Sequence, residues 1–372
     1  MGDLLQLNPV GDIAIFKSPK YGYSQLTSNV WENFNLYELT QIHRQKGDPI
    51  FAEILSRMRI GQLTENDCKV LEELKHTQVP SGCISIFTTN KESNFYNMEQ
   101  LNLLKSKKME IDSKDSRRDL TTGILPVKLD EKDPHKTGGL HSKVTFAVGA
   151  RYMHCVNTDV NDGLVNGATG LIVKIDIDEK SPLTGTIYVN FDMPNIGVEA
   201  KKSSGVIDCV PIRAKSIVFN YMLGNNNVRV ERFQFPGTLA WGLTIHKSLG
   251  STFELFIGNL INVKSNRSMP GQVYTMISRA KSMTTLKLIG FHKSKIVINK
   301  DALIEMDRLR LSSVIFSHTF LPAFGEQLIL SLNIRKLSSH FSDITQPYFI
   351  EKASYICLSE THTNNYSIPG YS

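Results

Sequence analysis

Residues 244–252 read TIHKSLGST, and residues 274–282 read YTMISRAKS. Around them the chain alternates in kind. The patterning predicts a helix around Leu239–Leu249, a strand over Phe253–Leu260, a helix over Gln272–Ala280 and a strand over Leu286–Ile289. That is the rhythm of an α/β fold, with polar and glycine-containing loops where strands and helices meet.

Further upstream the pattern changes twice. Residues 31–76 are the clearest helical region. Phe51, Ile54, Leu55 and Met58 share one helix face, Gly61 ends the run, and Thr64 with Asp67 signals the next helix, whose apolar face is Val70, Leu71 and Leu74. Residues 83–87, CISIF, predict a short strand. Residues 105–143 (KSKKMEIDSKDSRRD, later DEKDPHKTGG) are charged and poor in large apolar groups, so they read as a solvated excursion between strands. Residues 144–235 are dense in Val, Ile, Tyr and Phe, with Gly163, Gly167 and Gly170 beside Asn161, Asp162 and Asn166. Several short strands at such close spacing predict a small β-barrel.

Composition narrows the function classes. The 372 residues are 41% hydrophobic and 21% charged, ordinary for a globular protein, with a formal net charge of +6 that permits a nucleic-acid partner without demanding one. The five cysteines (Cys68, Cys83, Cys155, Cys209, Cys357) are scattered and never form a CxxC pair, which argues against a disulfide framework and a zinc site. No apolar run is long enough to span a bilayer, so no membrane partner is expected. A reducing compartment, cytosol or nucleus, fits best; the nucleus is the expected location and the mitochondrion the alternative.

Four segments in order, GDLLQLNPV (2–10), LTQIHRQKGD (39–48), TIHKSLGST and YTMISRAKS, resemble motifs III, IV, V and VI of the petite-integration-frequency (PIF) family of superfamily-1 DNA helicases. The resemblance extends through WENFNLYELTQIHRQ, FAEILSRMRIGQLTENDCKVL, FTTNKESNFYNMEQL, VGARYMHCVNTDVNDGLVNGATGLIV and TLKLIGF, and covers roughly residues 1–300. It implies a RecA-like second helicase lobe, of the P-loop NTPase superfold, with an inserted small SH3-like β-barrel. It implies ATP and Mg²⁺ as ligands, and single-stranded DNA as the partner. It implies Gln6 as a sensor of the γ-phosphate and Arg44 and Arg279 as two arginines presented to it. An arginine's planar, permanently charged fork suits that task. Gly250 would bring backbone close to the phosphates, and Thr244, His246 and Lys247 would touch the DNA backbone. Each has an alternative on its own residue type: Arg44 capping a helix C-terminus, Arg279 in a surface ion pair, His246 as a satisfied core histidine.

The sequence also departs from the family. A P-loop needs GxxxxGK[ST]. The nearest spacing, Gly237 to Gly242, is followed by Leu243-Thr244 and lacks the lysine. The first lobe is therefore expected to be absent beyond a remnant, and ATPase activity negligible for this chain alone. Motif V has Leu249 where the family has Gln, Gly237-Thr238 follows Pro236 where Pro-Leu is usual, and motif VI has Met276-Ile277 for Ala-Leu. The expected domains are a first-lobe remnant (1–30), the second lobe (31–147 and 236–300), the inserted barrel (148–235), a linker (301–327) and a distinct tail (328–372). The tail's LILSLNIRKLSSHFSDI and ASYICLSETHTNNYSIPGYS resemble the start of an endonuclease/exonuclease/phosphatase domain, which would make Asn333 and Glu360 metal ligands. A helicase followed by such a nuclease is the order found in Helitron-type transposons. Besides a helicase fragment, two other readings stand: a non-catalytic single-stranded nucleic-acid-binding module, and a decayed mobile-element remnant.

Overall fold

The computed structural model of the chain describes residues 3–9, 13–17, 30–34, 36, 38, 41–80, 82–119, 123–127, 129, 134–223, 226–264, 268–312, 329–333 and 355–359. The chain divides into two compact units, Met1–Met306 and Asp307–Ser372. The first begins with α1 (Pro49–Arg59), α2 (Glu65–Glu73), β1 (Ile84–Phe87) and α3 (Asn90–Leu103). A strand-rich stretch follows: β2 (Met109–Asp112), β3 (Lys114–Asp119), β4 (Gly123–Pro126), β5 (Lys143–Phe146), β6 (Arg151–His154), β7 (Thr169–Asp176), β8 (Thr186–Phe191), the short α4 (Val198–Lys202), β9 (Val210–Arg213), β10 (Lys215–Leu223) and β11 (Asn226–Gln234). It ends with β12 (Gly237–Leu239), β13 (Gly242–Thr244), β14 (Phe256–Asn259), α5 (Gln272–Ile277), β15 (Leu286–Ile289) and α6 (Lys300–Ser312), which crosses into the second unit.

The heart of the first unit is a parallel sheet in the order β13-β1-β14-β15. Every residue of β1 is buried, as a strand covered on both faces requires. α1 starts where Asp48 accepts the Phe51 amide and Pro49 presets the first turn. Its stripe of Phe51, Ile54, Leu55 and Met58 then buries against Ile86, Leu243, Phe256, Met276 and Leu288. Burying each such side chain is worth about 1.5–3 kcal/mol. α2 opens with the anticipated capping box, Thr64 and Asp67 exchanging hydrogen bonds.

A second core belongs to the antiparallel sheet β12-β6-β7-β8-β9, where Tyr152, Ile172, Ile187, Val189, Ile212 and Phe235 meet. β8 alternates buried and open positions, the signature of a strand with one wet face. β10 and β11 form a hairpin that continues into β3 and β4.

Two expectations are corrected. The stretch Leu239–Leu249 is no helix: it supplies β12, β13 and a single 3₁₀ turn at His246–Ser248. Leu239 and Leu243 mimic helical spacing, but pairing of β12 with β6 and of β13 with β1 outweighs it. The charged excursion is not simply solvated either. β3 runs through it because Asp115 is buried against Arg232, which donates to it from Nε (2.8 Å) and Nη2 (2.7 Å). Hydropathy cannot see a charge that is paired inside.

In the second unit β16 (Ile329–Asn333) pairs in parallel with β17 (Tyr355–Ser359), Asn333 opposite Ser359. The candidate metal ligand Asn333 thus ends the first of these strands. Glu360 lies outside the described residues.

Candidate functional site

The two motif arginines converge. Arg44 donates from Nη1 to the Ser278 carbonyl (3.0 Å) and from Nε to Thr252 Oγ1 (2.9 Å). Arg279 donates from Nη2 to Ser278 Oγ (2.9 Å) and from Nε to the Thr275 carbonyl (3.0 Å). Both guanidiniums therefore meet on one residue, just past the end of α5. Gln45, next in sequence to Arg44, reaches the Ser278 and Ala280 carbonyls (3.3 and 2.6 Å), and Asp48 accepts the Met283 amide (3.0 Å). Motif IV is thus stitched to motif VI along its length.

Among the described residues neither guanidinium pairs with a carboxylate. Burial, with the nearby Arg44 charge adding to it, brings the Arg279 pKa down to about 10. Burial lowers Arg44 as well. Burial also raises the Tyr274 phenol, which sits in the field of Asp3, Arg59, Arg279 and Arg44. Tyr274 is the one residue of α5 left partly open to solvent. Two like charges held together with no carboxylate hydrogen-bonded to either form a place where an anion is stabilised.

Gln6 lies on a segment pressed against the start of α5. Leu5 is buried, and the Leu5 and Gln6 carbonyls lie where a side chain on Gly271 would sit, 2.6 Å from its Cβ position. Gly271, at φ +74°, is the N-cap of α5, so only glycine permits this approach. The Gln6 amide donates to Asp3 Oδ2 (3.4 Å), and Arg59 donates to Asp3 Oδ1 (2.7 Å). Sequence reading missed Asp3, Arg59, Gln45, Thr252 and Tyr274. Tyr274 and Thr252 were within reach, since they flank the arginines inside the quoted motifs.

The nucleic-acid candidates gather elsewhere. Thr244 ends β13 beside Phe87 at the end of β1. Its side chain is turned inward, 4% exposed, and its hydroxyl accepts the Lys247 amide (3.4 Å), closing the 3₁₀ turn. His246 and Lys247 on that turn are half-buried. Lys247 acts on Cys155, whose thiol burial pushes up to about 11. Gly250 follows at φ +81° in open space, a conformation that favours glycine. Thr88 and Thr89 leave β1 on the same edge, with Glu92 accepting from both hydroxyls and from Asn262. The structure therefore separates an arginine cluster from a turn-borne edge, with residues 245–252 running between them.

No protein-family model matches the chain. The ATP-dependent DNA helicase PIF1 of Danio rerio is 26% identical over 332 residues, which covers 87% of this chain and 45% of that protein. The Bdellovibrio bacteriovorus ATP-dependent DNA helicase Pif1 is 28% identical over 279 residues, 74% of this chain and 55% of its own. The crystal structure of Pif1 helicase from Candida albicans superposes with a TM-score of 0.59 at 25% identity, over 83% of this chain and 67% of that one. Bacteroides Pif1 bound to single-stranded DNA gives 0.57 at 25% identity, over 82% of this chain and 65% of that one. Over most of its length the chain is similar in sequence and fold to PIF-family superfamily-1 helicases. It spans about half the length of the curated PIF relatives it matches. Its mixed α/β fold is the RecA-like fold of the PIF structures. Among the described residues, no helix is long and apolar enough to cross a membrane.

Proposed function

We propose that this chain supplies the second-lobe half of an ATP-dependent DNA helicase. The reading rests on one observation above all: Arg44 and Arg279 meet at Ser278 without a carboxylate between them. In this reading they bind the γ-phosphate of ATP held by a first lobe. As water attacks phosphorus and the bond to the ADP oxygen breaks, the negative charge that moves onto the bridging oxygen and spreads over the phosphoryl group is met by two fixed guanidiniums. Gln6 faces the same phosphate, and Gly250 keeps the neighbouring loop close. Thr244, through the turn it closes, positions His246 and Lys247 on single-stranded DNA. The sheet β12-β6-β7-β8-β9 acts as the SH3-like insert over that strand.

Among the described residues no cluster of three His, Cys, Asp or Glu side chains can hold a metal ion. Mg²⁺ does not fit these residues, and we assign it to the first lobe, which also carries the P-loop that this sequence lacks. The family resemblance supports 5′ to 3′ movement and work in DNA maintenance or transposition in the nucleus. The tail, with Asn333 and Glu360, is the start of a nuclease-like domain.

The test is complementation. The chain alone should release no phosphate from ATP. Adding a first lobe that carries GxxxxGK[ST] should restore DNA-stimulated hydrolysis, and Arg44→Ala or Arg279→Ala should lower it by about 10³-fold or more, as loss of an arginine finger does. Hydrolysis that ignores both substitutions refutes the reading. The missing GxxxxGK[ST] favours a second reading, a non-catalytic DNA-binding module. It predicts salt-dependent binding to oligo-dT that survives both substitutions, with no ATPase in the complemented mixture.

A further inference from the structure

Arg59, the last residue of α1, is unlike the arginines at Ser278. It touches no motif V or VI residue by hydrogen bond. It donates from Nη2 to Asp3 Oδ1 at 2.7 Å, while its buried Nε has no hydrogen-bond partner among the described residues. The fork is committed to this one carboxylate. Asp3 in turn accepts the Leu5 amide at 3.1 Å and the Gln6 side-chain amide at 3.4 Å. The connection therefore runs from α1, through Arg59 and Asp3, to the Gln6 amide. Gly271 leaves room for the Leu5 and Gln6 carbonyls against the start of α5, and Leu5 fills the core beneath. Asp3 is also a negative charge within electrostatic reach of Tyr274 and Arg279.

We propose that Arg59 is a positioning residue for the nucleotide edge: through Asp3 it seats residues 3–7 on α5 and fixes the Gln6 amide beside the arginine cluster. This rests on the reading of Arg44 and Arg279 as phosphate-binding groups. It makes a counter-intuitive prediction. Asp3 is the carboxylate among three arginines, so removing its charge should strengthen anion binding if Asp3 acts through charge alone. If Asp3 and Arg59 act by seating Gln6, the same change should weaken it.

The experiment titrates the full chain with inorganic triphosphate by calorimetry and follows hydrogen exchange at the amides of residues 4–8. Asp3→Asn and Arg59→Met should each speed exchange there by about fivefold or more. They should weaken triphosphate binding by about threefold or more. The reciprocal pair Asp3→Arg with Arg59→Asp should restore slow exchange. Denaturation midpoints within error of the wild type, outside this segment, separate seating from global unfolding. Tighter triphosphate binding by Asp3→Asn with unchanged exchange overturns the positioning role and leaves the anion site standing. Triphosphate binding indifferent to Arg44→Ala and Arg279→Ala overturns the anion site, and the positioning role with it.

Discussion

Arg232 and Arg279 are both withdrawn from water, 0% and 2% exposed, but they live under opposite conditions. Arg232 has a carboxylate: Asp115 takes its fork bidentately, the Leu140 carbonyl takes Nη1 at 3.0 Å, and the Phe219 ring lies 5.9 Å from its centre. All of its charge is answered from within, and it ties the hairpin β10-β11 to β3. Arg279 has only neutral hydrogen-bond acceptors, Thr275 and Ser278; it feels a second guanidinium, Arg44, and the Asp3 charge without a hydrogen bond to that carboxylate. Burial is thus no guide to role. The counter-charge is: a paired buried arginine is part of the scaffold, and an unpaired one is incomplete until an anion arrives.

The comparison breaks first at Arg232. Arg232→Ala leaves the Asp115 carboxylate buried without a partner, and such a loss costs about 3–5 kcal/mol. Chemical denaturation should register it as a drop in midpoint. The double change Arg232→Met with Asp115→Leu should recover most of the loss, because the penalty belongs to the stranded charge rather than to the missing bond. A single substitution that costs less than about 1 kcal/mol would remove the pair from the scaffold.

How much of this could be read beforehand follows from the same contrast. Arg44 and Arg279 stand inside short, ordered motifs, so their convergence was legible although 235 positions separate them. The α1 stripe and the Thr64 capping box were legible because helix periodicity and capping are local. The β3 strand was not. Asp115 reads as a surface charge until Arg232, far along the chain, is seen to cover it. Arg59 and Asp3 were hidden for the same reason: a long-range ion pair leaves no periodic mark. The 239–249 region misled in the other direction, since leucines at helical spacing were claimed by two different sheets.

His154 sharpens the scaffold side of the comparison through pH. It is fully buried between Tyr152 and Thr158, at 2.8 Å from each. The Tyr152 hydroxyl donates to the Pro236 carbonyl at 3.0 Å, so Nδ1–H donates to the Tyr152 oxygen and Nε2 accepts from Thr158. Burial lowers its pKa from 6.5 to about 4. The folded protein therefore binds fewer protons than the unfolded chain between those values. The stabilising contribution is full above pH 6.5 and is lost as pH falls towards 4, by about 3 kcal/mol in all. Replacing His154 with Gln should flatten the stability profile over that window. An unchanged slope would mean the ring is not the group responsible.

A smaller effect is expected at Thr64, whose hydroxyl accepts the Asp67 amide at 3.1 Å while Asp67 accepts the Thr64 amide at 3.0 Å. Thr64→Ala should cost about 1 kcal/mol, the usual worth of a cap. Arg57 still holds Asp67 from Nε (2.7 Å) and Nη2 (2.8 Å), so α2 should keep its start and lose only that increment. Thermal unfolding would measure it.

The smallest stability effect carries the comparison's other half. Arg279→Met removes a buried charge that no carboxylate hydrogen-bonds, so folding should change by less than about 1 kcal/mol, or become slightly more favourable. The lost hydrogen bonds to Thr275 and Ser278 are offset by the desolvation no longer incurred. Triphosphate affinity, in contrast, should fall by about tenfold or more. If Arg279→Met instead destabilises the chain as much as Arg232→Ala does, then its two neutral acceptors are sufficient partners. The contrast between a satisfied arginine and a waiting one would then dissolve.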